Sequence, residues 1–578
     1  MKKYSSMQSP SQSINTLIKS GIFTVIAFSM LLCTSSLVAQ NINEEVTVTA
    51  AYEPTIPDAN KINIEPPESE TEVTIPVMTY SNKPNQMLVS LKPENIAAVR
   101  LLGEPVSKLY RNYVRAGMGT YTTPFIDLYA SSLRSESYAL GLHLKHISSA
   151  GDIKGYPKTN NSLNQVDLYG QKFFSQHTLS SGLGFRRNVV HHYGFLEEDF
   201  NELSSPPAFT WTDDDLKQRF VRLNGDIGIK SAYKEDDKFN HFANVNANYI
   251  KDLFGTSETE VALSAGGDKR FELFDFTDHQ TIGLLTDVIY TRYIDSTLTQ
   301  NNTLVTLSPY ISTSVNEYSL KAGLNINFKM DTVSKAYMFP FVEGQLRIID
   351  DALVVHAGIT GNIKRQSFNE LSDINPFVQS VLPLQYTREK FTFYAGLRAR
   401  AGSNIDFSAL VRSSSVANAY FFVNDYSQVP YNRFTLVHDE GQVFEGRFEA
   451  QYHTAERINV KLYAEFETWS LDNLEHPWHR PALKFGLDGH YQIQNKIIVR
   501  ANVAARGNQY ARIVNASDQY AATELDAFAD LSLGVEYRYT KVLSGFINFN
   551  NITNSQYFLW NNYPSYKFNL MGGVAYSF

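Results

Sequence analysis

Apolar and polar residues alternate with a period of two along most of the chain after Arg111. Three segments show the pattern clearly. The apolar face of the first contains Tyr318, Leu320, Ala322, Leu324, Ile326 and Phe328, and that of the second contains Leu353, Val355, Ala357, Ile359 and Gly361. The apolar face of the third contains Ile458, Val460, Leu462, Ala464 and Phe466. Polar residues lie opposite the third face: Asn459, Lys461, Glu465 and Glu467. Because successive side chains of a β-strand point to opposite faces, the pattern predicts strands with one apolar and one polar face.

The final segment of the sequence alternates up to its last residue. One set of positions holds Tyr566, Phe568, Leu570, Gly572, Val574, Tyr576 and Phe578. A terminal strand of this kind needs a partner along its edge, and a closed barrel supplies one. The ending resembles the sorting signal by which the assembly machinery recognises bacterial outer-membrane barrels. That resemblance implies a signal formed by Tyr566, Phe568, Leu570, Val574, Tyr576 and Phe578.

Short and long connections alternate between the predicted strands. Short turns occur at Asp350–Asp351, Gln494–Asn495 and Thr540–Lys541, and long loops at 366–386, 470–481 and 508–526. Soluble sandwiches would also alternate, but about 470 such residues would divide into several domains joined by linkers, which the sequence lacks. We therefore predict an all-β fold, a transmembrane antiparallel β-barrel of about 22 strands over residues 111–578.

The N-terminus predicts export. Lys2, Lys3 and Lys19 precede an apolar stretch from Gly21 to Leu32, and small residues follow as far as Ala39. This order is typical of a secretory signal peptide, so residues 1–39 are excluded from the fold. The only cysteine, Cys33, lies within it, and we expect no disulfide or cysteine metal site in the mature protein.

Residues 40–110 differ from the rest and predict an extended arm. The segment contains Pro54, Pro57, Pro66, Pro67, Pro76, Pro84, Pro93 and Pro105, a density that forbids a regular strand ladder. Near its start, Glu44, Glu45, Val46, Thr47, Val48, Thr49 and Ala50 resemble a TonB box, the strand with which TonB-dependent transporters pair to TonB. An ordinary short strand is the alternative for these residues.

Two further stretches resemble the TonB-dependent receptors. Asn95, Ile96, Val99, Leu102, Gly103, Pro105, Ser107, Leu109 and Tyr110 are similar to the stretch that ends the plug domain of these receptors. Phe546, Asn548, Asn550, Asn551, Ile552, Thr553, Asn554 and Tyr557 are similar to their penultimate hairpin. Between Ala50 and Tyr110 the chain is too short and too rich in proline for the usual globular plug, so we expect the plug to be reduced or missing.

Composition agrees with an outer-membrane barrel. Aromatic residues make up 13% of the chain, chiefly 37 Phe and 34 Tyr, which suit strands and membrane interfaces. The formal net charge of -8 argues against a nucleic-acid partner. After residue 40 no apolar run approaches the roughly 20 residues that a spanning helix needs.

The sequence offers little chemistry. His191 and His192 lie near Asp213, Asp214 and Asp215, and His476 lies near His479, but solvated loops explain both groups better than a metal site does. Lysines and arginines on predicted lumen faces, such as Lys461, Lys484 and Arg500, would bias a pore for anions if unbalanced. Acids such as Glu465 and Asp488 balance them and favour a solvated lumen instead. No serine stands in a recognisable catalytic setting, and we expect no enzyme, no cofactor and no metal.

Three functions fit these patterns. The first, which the resemblance favours, is import of a nutrient or other solute across the outer membrane, with TonB acting on residues 44–50 to move an arm that occludes the pore. The second is a passive or partner-gated pore, and the third is a structural subunit that transports nothing. The expected partners are outer-membrane lipid and the barrel-assembly machinery, with TonB and a lipoprotein or other outer-membrane subunit as further candidates.

Overall fold

A computed structural model gives the architecture of residues 110–201, 210–233, 238–272, 279–350, 352–454, 457–515 and 517–578. The predicted signal peptide, the TonB-box-like segment and the plug-like stretch up to Leu109 lie outside these described residues. The strands are β1 (Asn112–Gly119), β2 (Thr123–Ser131), β3 (Tyr138–Ser149), β4 (Asn161–Phe173), β5 (His177–His191), β6 (Lys217–Ser231), β7 (Asn240–Lys251), β8 (Ser257–Phe271), β9 (His279–Ile294), β10 (Thr299–Val315), β11 (Tyr318–Met330), β12 (Lys335–Ile349), β13 (Leu353–Arg365), β14 (Tyr386–Ala401), β15 (Ile405–Asn424), β16 (Phe434–Thr454), β17 (Ile458–Leu471), β18 (Leu483–Ile493), β19 (Ile497–Arg506), β20 (Gln509–Val514), β21 (Tyr520–Leu525), β22 (Phe528–Arg538), β23 (Leu543–Asn550), β24 (Phe558–Trp560), β25 (Tyr563–Pro564) and β26 (Asn569–Ser577).

One sheet of 22 strands closes on itself. Every strand except β20, β21, β24 and β25 belongs to it, and each pairs antiparallel with its neighbours. The last strand, β26, pairs with both β23 and β1, which completes the ring. The predicted fold class and strand count are therefore confirmed. A closed ring leaves no unpaired edge, which a sheet within a bilayer requires.

The alternation separates an outward face from an enclosed lumen. On β26, Leu570, Val574 and Tyr576 point outward and are 38%, 57% and 43% exposed, whereas the inward Ala575 is 1% exposed. β26 begins at Asn569, so Tyr566 and Phe568 of the predicted signal precede the strand. Tyr566 instead stacks on Tyr121 with ring centroids 4.7 Å apart.

Strand pairing aligns the outward residues of neighbouring strands with one another, and likewise the inward residues. Leu462 of β17 pairs with Leu487 of β18, and Leu487 pairs with Val503 of β19, so an apolar row runs along the outside. On the lumen side Asp488 accepts a hydrogen bond from Asn502 Nδ2 at 2.5 Å. An apolar outer surface with a polar interior is the pattern of a transmembrane barrel.

The two ends of the barrel differ. One end carries the short turns predicted between β12 and β13, β18 and β19, and β22 and β23. In the second turn, Gln494 and Asn495 adopt left-handed φ angles of 47° and 57°, as a tight hairpin requires. The other end carries the predicted long loops, and we call it the outer end because long loops face outward in such barrels.

The closing seam depends on two glycines. Gly117 of β1 lies opposite Gly573 of β26, and the ring of Phe546 lies over both. A Cβ at Gly573 would collide with the carbonyl oxygen of Ala116 and the Cα of Gly117. The guanidinium of Arg115 lies 3.7 Å above the Phe546 ring and covers it from the lumen. The strands can therefore approach closely at the point where the ring of strands is completed.

Helices are few and short among the described residues: α1 (Glu197–Asn201), α2 (Asp213–Leu216) and α3 (Phe368–Ile374). None of the helices in this part of the chain has the length and apolar character needed to cross a membrane.

Candidate functional site at the outer end of the lumen

The connection between β13 and β14, residues 366–385, folds into the barrel, and we call it the strap. Its helix α3 begins where Ser367 Oγ accepts a hydrogen bond from the backbone N–H of Glu370. Phe368 and Leu371, one turn apart, are 0% and 1% exposed. Their burial requires an apolar surface, which the inner faces of the opposite strands provide.

Glu258 of β8 anchors the start of the strap. Its carboxylate accepts hydrogen bonds from Ser367 Oγ at 2.5 Å and from the backbone N–H groups of Phe368 at 3.1 Å and Asn369 at 3.2 Å. Arg365, the last residue of β13, donates to the same carboxylate at 2.8 Å. The Glu258 and Arg365 side chains are only 2% and 7% exposed, so this ion pair is strongly shielded from water.

Two arginines of neighbouring strands hold the helix from the other side. Arg222 of β6 donates from Nε to Asn369 Oδ1 at 2.8 Å and from Nη2 to Ser372 Oγ at 2.8 Å. Arg186 of β5 pairs with Asp373 at 2.7 Å. Together with Glu258, these contacts fix α3 against the inner faces of β5, β6 and β8.

The second half of the strap continues to the opposite wall. The Tyr293 hydroxyl of β9 donates to the carbonyl of Ser380 at 3.2 Å and accepts from the N–H of Leu382 at 3.3 Å. On the β16 side, Val378 forms a parallel bridge with Phe434. The strap therefore crosses the lumen from β8 and β9 to β16.

A hairpin from the last long loop packs beside the strap. β24 and β25 place Tyr563 against Phe377 of the strap, with ring centroids 3.7 Å apart. In the same hairpin, the backbone N–H of Asn561 donates to His479 Nε2 at 3.2 Å. The strap, this hairpin and the loops that carry His192 and His479 form one apolar cluster, which we call the outer cap.

Burial keeps two histidines of the outer cap uncharged. Desolvation lowers the pKa of His192 to about 3 and that of His479 to about 4. His479 Nδ1 donates to the carbonyl of Phe422 at 2.9 Å, and His192 Nδ1 donates to the carbonyl of Leu216 at 3.1 Å. Both rings are therefore neutral structural groups at neutral pH.

The other candidate histidines have polar or aromatic neighbours. His191 Nε2 lies 3.4 Å from Asp213 Oδ1, and His476 stacks on Tyr510 at 4.0 Å. No cluster of three or more potential metal ligands exists among the residues that the structure covers. Two of the predicted lumen cations are paired: Lys484 lies 3.6 Å from Glu465, and Arg500 lies 2.9 Å from Glu536.

Below the strap lies a polar cavity of ≈ 430 Å³. Its wall includes Arg186, Glu260, Asp287, Lys364 and Asp373. The charges of both signs indicate a hydrated chamber on the lumen side of α3.

The strap was predictable from the sequence as a long loop, but its anchors were not. The helix α3 was not predicted, although Ser367 followed by Glu370 is a helix-start pattern that would have indicated it. Glu258 and Arg222 carry no such local signal, because their partners lie more than a hundred residues away.

Comparison with known proteins gives the fold its name. No family model and no characterised protein matches the chain in sequence. Among solved structures, the pyoverdine outer-membrane receptor FpvA of Pseudomonas aeruginosa matches with a TM-score of 0.60 at 11% identity, over 81% of this chain and 78% of the receptor. The ferric-catecholate import receptor Fiu of E. coli matches with a TM-score of 0.58 at 10% identity, over 81% and 82%. The FrpB iron transporter of Neisseria meningitidis matches with a TM-score of 0.60 at 9% identity, over 82% of each chain.

The chain has the fold of the TonB-dependent receptors. A receptor-type barrel of 22 strands with an apolar outer face belongs in the outer membrane of Gram-negative bacteria. The structures that share this receptor fold are transport proteins rather than enzymes.

Proposed function

We propose that this receptor-type barrel imports a small solute across the outer membrane and that the outer cap is its external closure. The observation that supports the proposal most strongly is the strap, which crosses the lumen and is bound to opposite walls through Glu258 and Phe434. A permanently open pore would not need a buried ion pair and an apolar cluster across its mouth. The passive-pore alternative is therefore weaker than gated import.

Energy for opening comes, in this proposal, from TonB acting on residues 44–50. The support is the resemblance of this β-branched segment to a TonB box, because such a segment can add as a strand to a partner's sheet edge. Iron bound to a siderophore is the first cargo to test, since the similar solved structures are described as pyoverdine and ferric-catecholate receptors and an iron transporter.

The experiment measures uptake of radiolabelled ferric catecholate and ferric pyoverdine by cells whose own siderophore receptors are deleted. We expect the full chain to restore uptake and deletion of residues 44–50 to abolish it. Deletion of residues 65–72, an acidic part of the same arm, is the matched control and should retain uptake. Uptake that survives the loss of residues 44–50 would contradict the TonB-driven mechanism, and barrel abundance in the membrane is measured in every strain.

A further inference from the structure

Three polar side chains on β3 and β4 form a continuous hydrogen-bonded relay. Ser148 Oγ lies 3.3 Å from His146 Nε2, and His146 Nδ1 lies 2.8 Å from Asn164 Oδ1. Asn164 is oriented in turn, because its Nδ2 donates to Ser162 Oγ at 3.2 Å. The three relay residues are only partly buried and remain accessible from outside.

The hydrogen bonds define the role of each atom. Asn164 Oδ1 can only accept, so the proton of His146 is on Nδ1 and Nε2 presents its lone pair to the Ser148 hydroxyl. A serine bonded to a histidine base, which a third polar side chain orients, is the arrangement that activates serine for acyl transfer.

The relay faces the membrane rather than the lumen. On β3, His143 points inward and bonds to Asp127 and Asp167 of the lumen wall. The pairing of β3 with β2 and with β4 has no register shift, so His146 and Ser148 point outward. Asn164 lies 18 residues from His146 on another strand, so no local sequence signal places it beside His146 and Ser148.

On β3 and β4 the relay lies where the outward apolar residues give way to polar ones, whereas Ile126 of β2 continues the apolar surface beside His146. The outward row immediately below it contains Leu128, Leu144 and Val166, which are aligned across β2, β3 and β4. His146 and Asn164 form the next outward row, and Ser148 pairs with Ser162 in the row after it, toward the long loops. The ester groups of membrane lipids lie at this boundary between hydrocarbon and headgroups.

Two arginines extend the same outward face. Arg187 of β5 is aligned with Asn164, and Arg219 of β6 is aligned with Val189, two residues along β5 from Arg187. Guanidinium groups bind phosphate well because their N–H groups match its oxygens. The phosphate of a bound lipid would therefore contact these arginines beside the relay, and its acyl chains would contact the apolar row below the relay.

We propose that Ser148, His146 and Asn164 form a catalytic site that hydrolyses fatty-acyl esters of phosphate-bearing lipids in the outer leaflet. Ser148 is the nucleophile, His146 is the general base, and Asn164 is the residue that positions His146. Arg187 and Arg219 bind the lipid phosphate. The site lies outside the lumen and is independent of solute import.

The reaction proceeds in two steps. The Ser148 hydroxyl gives its proton to His146 Nε2 while Oγ attacks the ester carbonyl carbon; the ester C–O bond then breaks, and the lipid alcohol leaves with the proton from His146. In the second step water gives a proton to His146 and attacks the acyl-serine. The fatty acid is released, and the proton returns to Ser148 Oγ. Water is the only co-reactant.

The test uses the purified full chain in detergent micelles and two readouts. A fluorophosphonate probe reports an activated serine whatever the natural substrate, and fatty-acid release is measured separately from phosphatidylethanolamine and from lipopolysaccharide. The two lipids distinguish a phospholipid from the acylated glucosamine phosphate of lipopolysaccharide as the source of the ester. We expect the wild-type chain to label and to release fatty acid from at least one lipid.

The variants assign the roles. Ser148→Ala should abolish labelling, and His146→Ala should lower its rate by about a hundredfold or more, the usual contribution of a general base. Asn164→Ala should lower the rate of acyl release without changing KM, and Asn164→Asp should restore it. Ser149→Ala, on the next residue but facing inward, is the matched control and should behave as wild type. Absence of labelling and of release with both lipids would overturn the proposal, as would activity that persists in a folded Ser148→Ala barrel.

Discussion

Glu258 and Arg365 form an ion pair of 2.8 Å inside the barrel, although β8 and β13 lie five strands apart around the wall. The same Glu258 carboxylate accepts both backbone N–H groups at the start of the strap helix. A single side chain therefore links two parts of the wall to the segment that crosses the lumen. The strap is held by this contact and by the apolar packing of the outer cap.

Removal of the Glu258 charge should loosen the strap. Breaking one partner of a buried ion pair typically costs about 3–5 kcal/mol, because the other charge remains buried and unpaired. We expect Glu258→Gln to make the strap sensitive to protease while the barrel stays folded. Limited proteolysis, followed by mass spectrometry to map the cleavage sites, checks this.

Glu260→Gln is the control, because Glu260 lies on the same face of β8 but bonds to Asn248. Equal protection of the strap in both variants would contradict the anchoring role.

Replacement of residues 368–382 with a short glycine-serine linker should enlarge the pore. This change removes α3 and the bridge to Phe434 without altering the barrel strands. Single-channel recording in planar bilayers should show a larger conductance than that of the unaltered chain. The same comparison in chains that lack residues 41–109 separates the effect of the strap from that of the arm. Identical conductance with and without the strap in both backgrounds would mean that it does not close the lumen.

The seam should tolerate a methyl group at Gly572 but not at Gly573. A Cβ at Gly572 meets only the Phe546 carbonyl at 3.7 Å, whereas one at Gly573 collides with β1. Overpacking of this kind costs about 1–3 kcal/mol. Gly573→Ala should therefore unfold at lower denaturant concentration than Gly572→Ala, as followed by the heat-dependent shift of the folded barrel on gels. Similar midpoints for the two variants would argue against the close packing of β1 and β26.

Acid should open the outer cap. In the closed cap the pKa values of His192 and His479 are about 3 and about 4, below the ordinary value of 6.5. As the pH falls, an opened cap therefore binds protons that the closed cap does not. The free energy that these two neutral histidines contribute to the closed cap is complete above pH 6.5 and is lost as the pH falls toward 4 and then 3. Fluorescence of Trp478 and Trp560 in the cap, which change exposure on opening, measures the transition.

Two histidine variants control this prediction. His479→Phe should shift the acid transition to lower pH, because it removes one buried group that protonates on opening. His476→Phe in the same loop should leave the transition unchanged, since His476 is partly exposed and stacked on Tyr510. An unshifted transition in His479→Phe would show that other groups cause the acid response.

The barrel was predictable from sequence because its determinants are local. The period-two pattern of Tyr318 to Phe328 or Ile458 to Phe466 assigns each side chain to a face, and the turns at Gln494 and Asn495 set the strand boundaries. The outer cap was not predictable in this way. Its contacts join Glu258 to Phe368 and Tyr563 to Phe377, pairs that only the closed ring brings together. The hydrogen bond between His146 and Asn164 also joins two strands, so it depends on their register, which the local sequence pattern does not specify.

The alternation after Arg111 separates a lipid face from a lumen face, and substitutions at the adjacent residues Leu487 and Asp488 test this separation most directly. Leu487 lies between Leu462 and Val503 on the outside, whereas Asp488 bonds to Asn502 inside. Arginine on the lipid face near mid-membrane costs about 2–4 kcal/mol, whereas the lumen is hydrated and accepts it. Unfolding free energies of the barrel in phospholipid vesicles should therefore fall by that amount for Leu487→Arg and change little for Asp488→Arg. Equal losses for the two variants, or a larger loss for Asp488→Arg, would contradict the account.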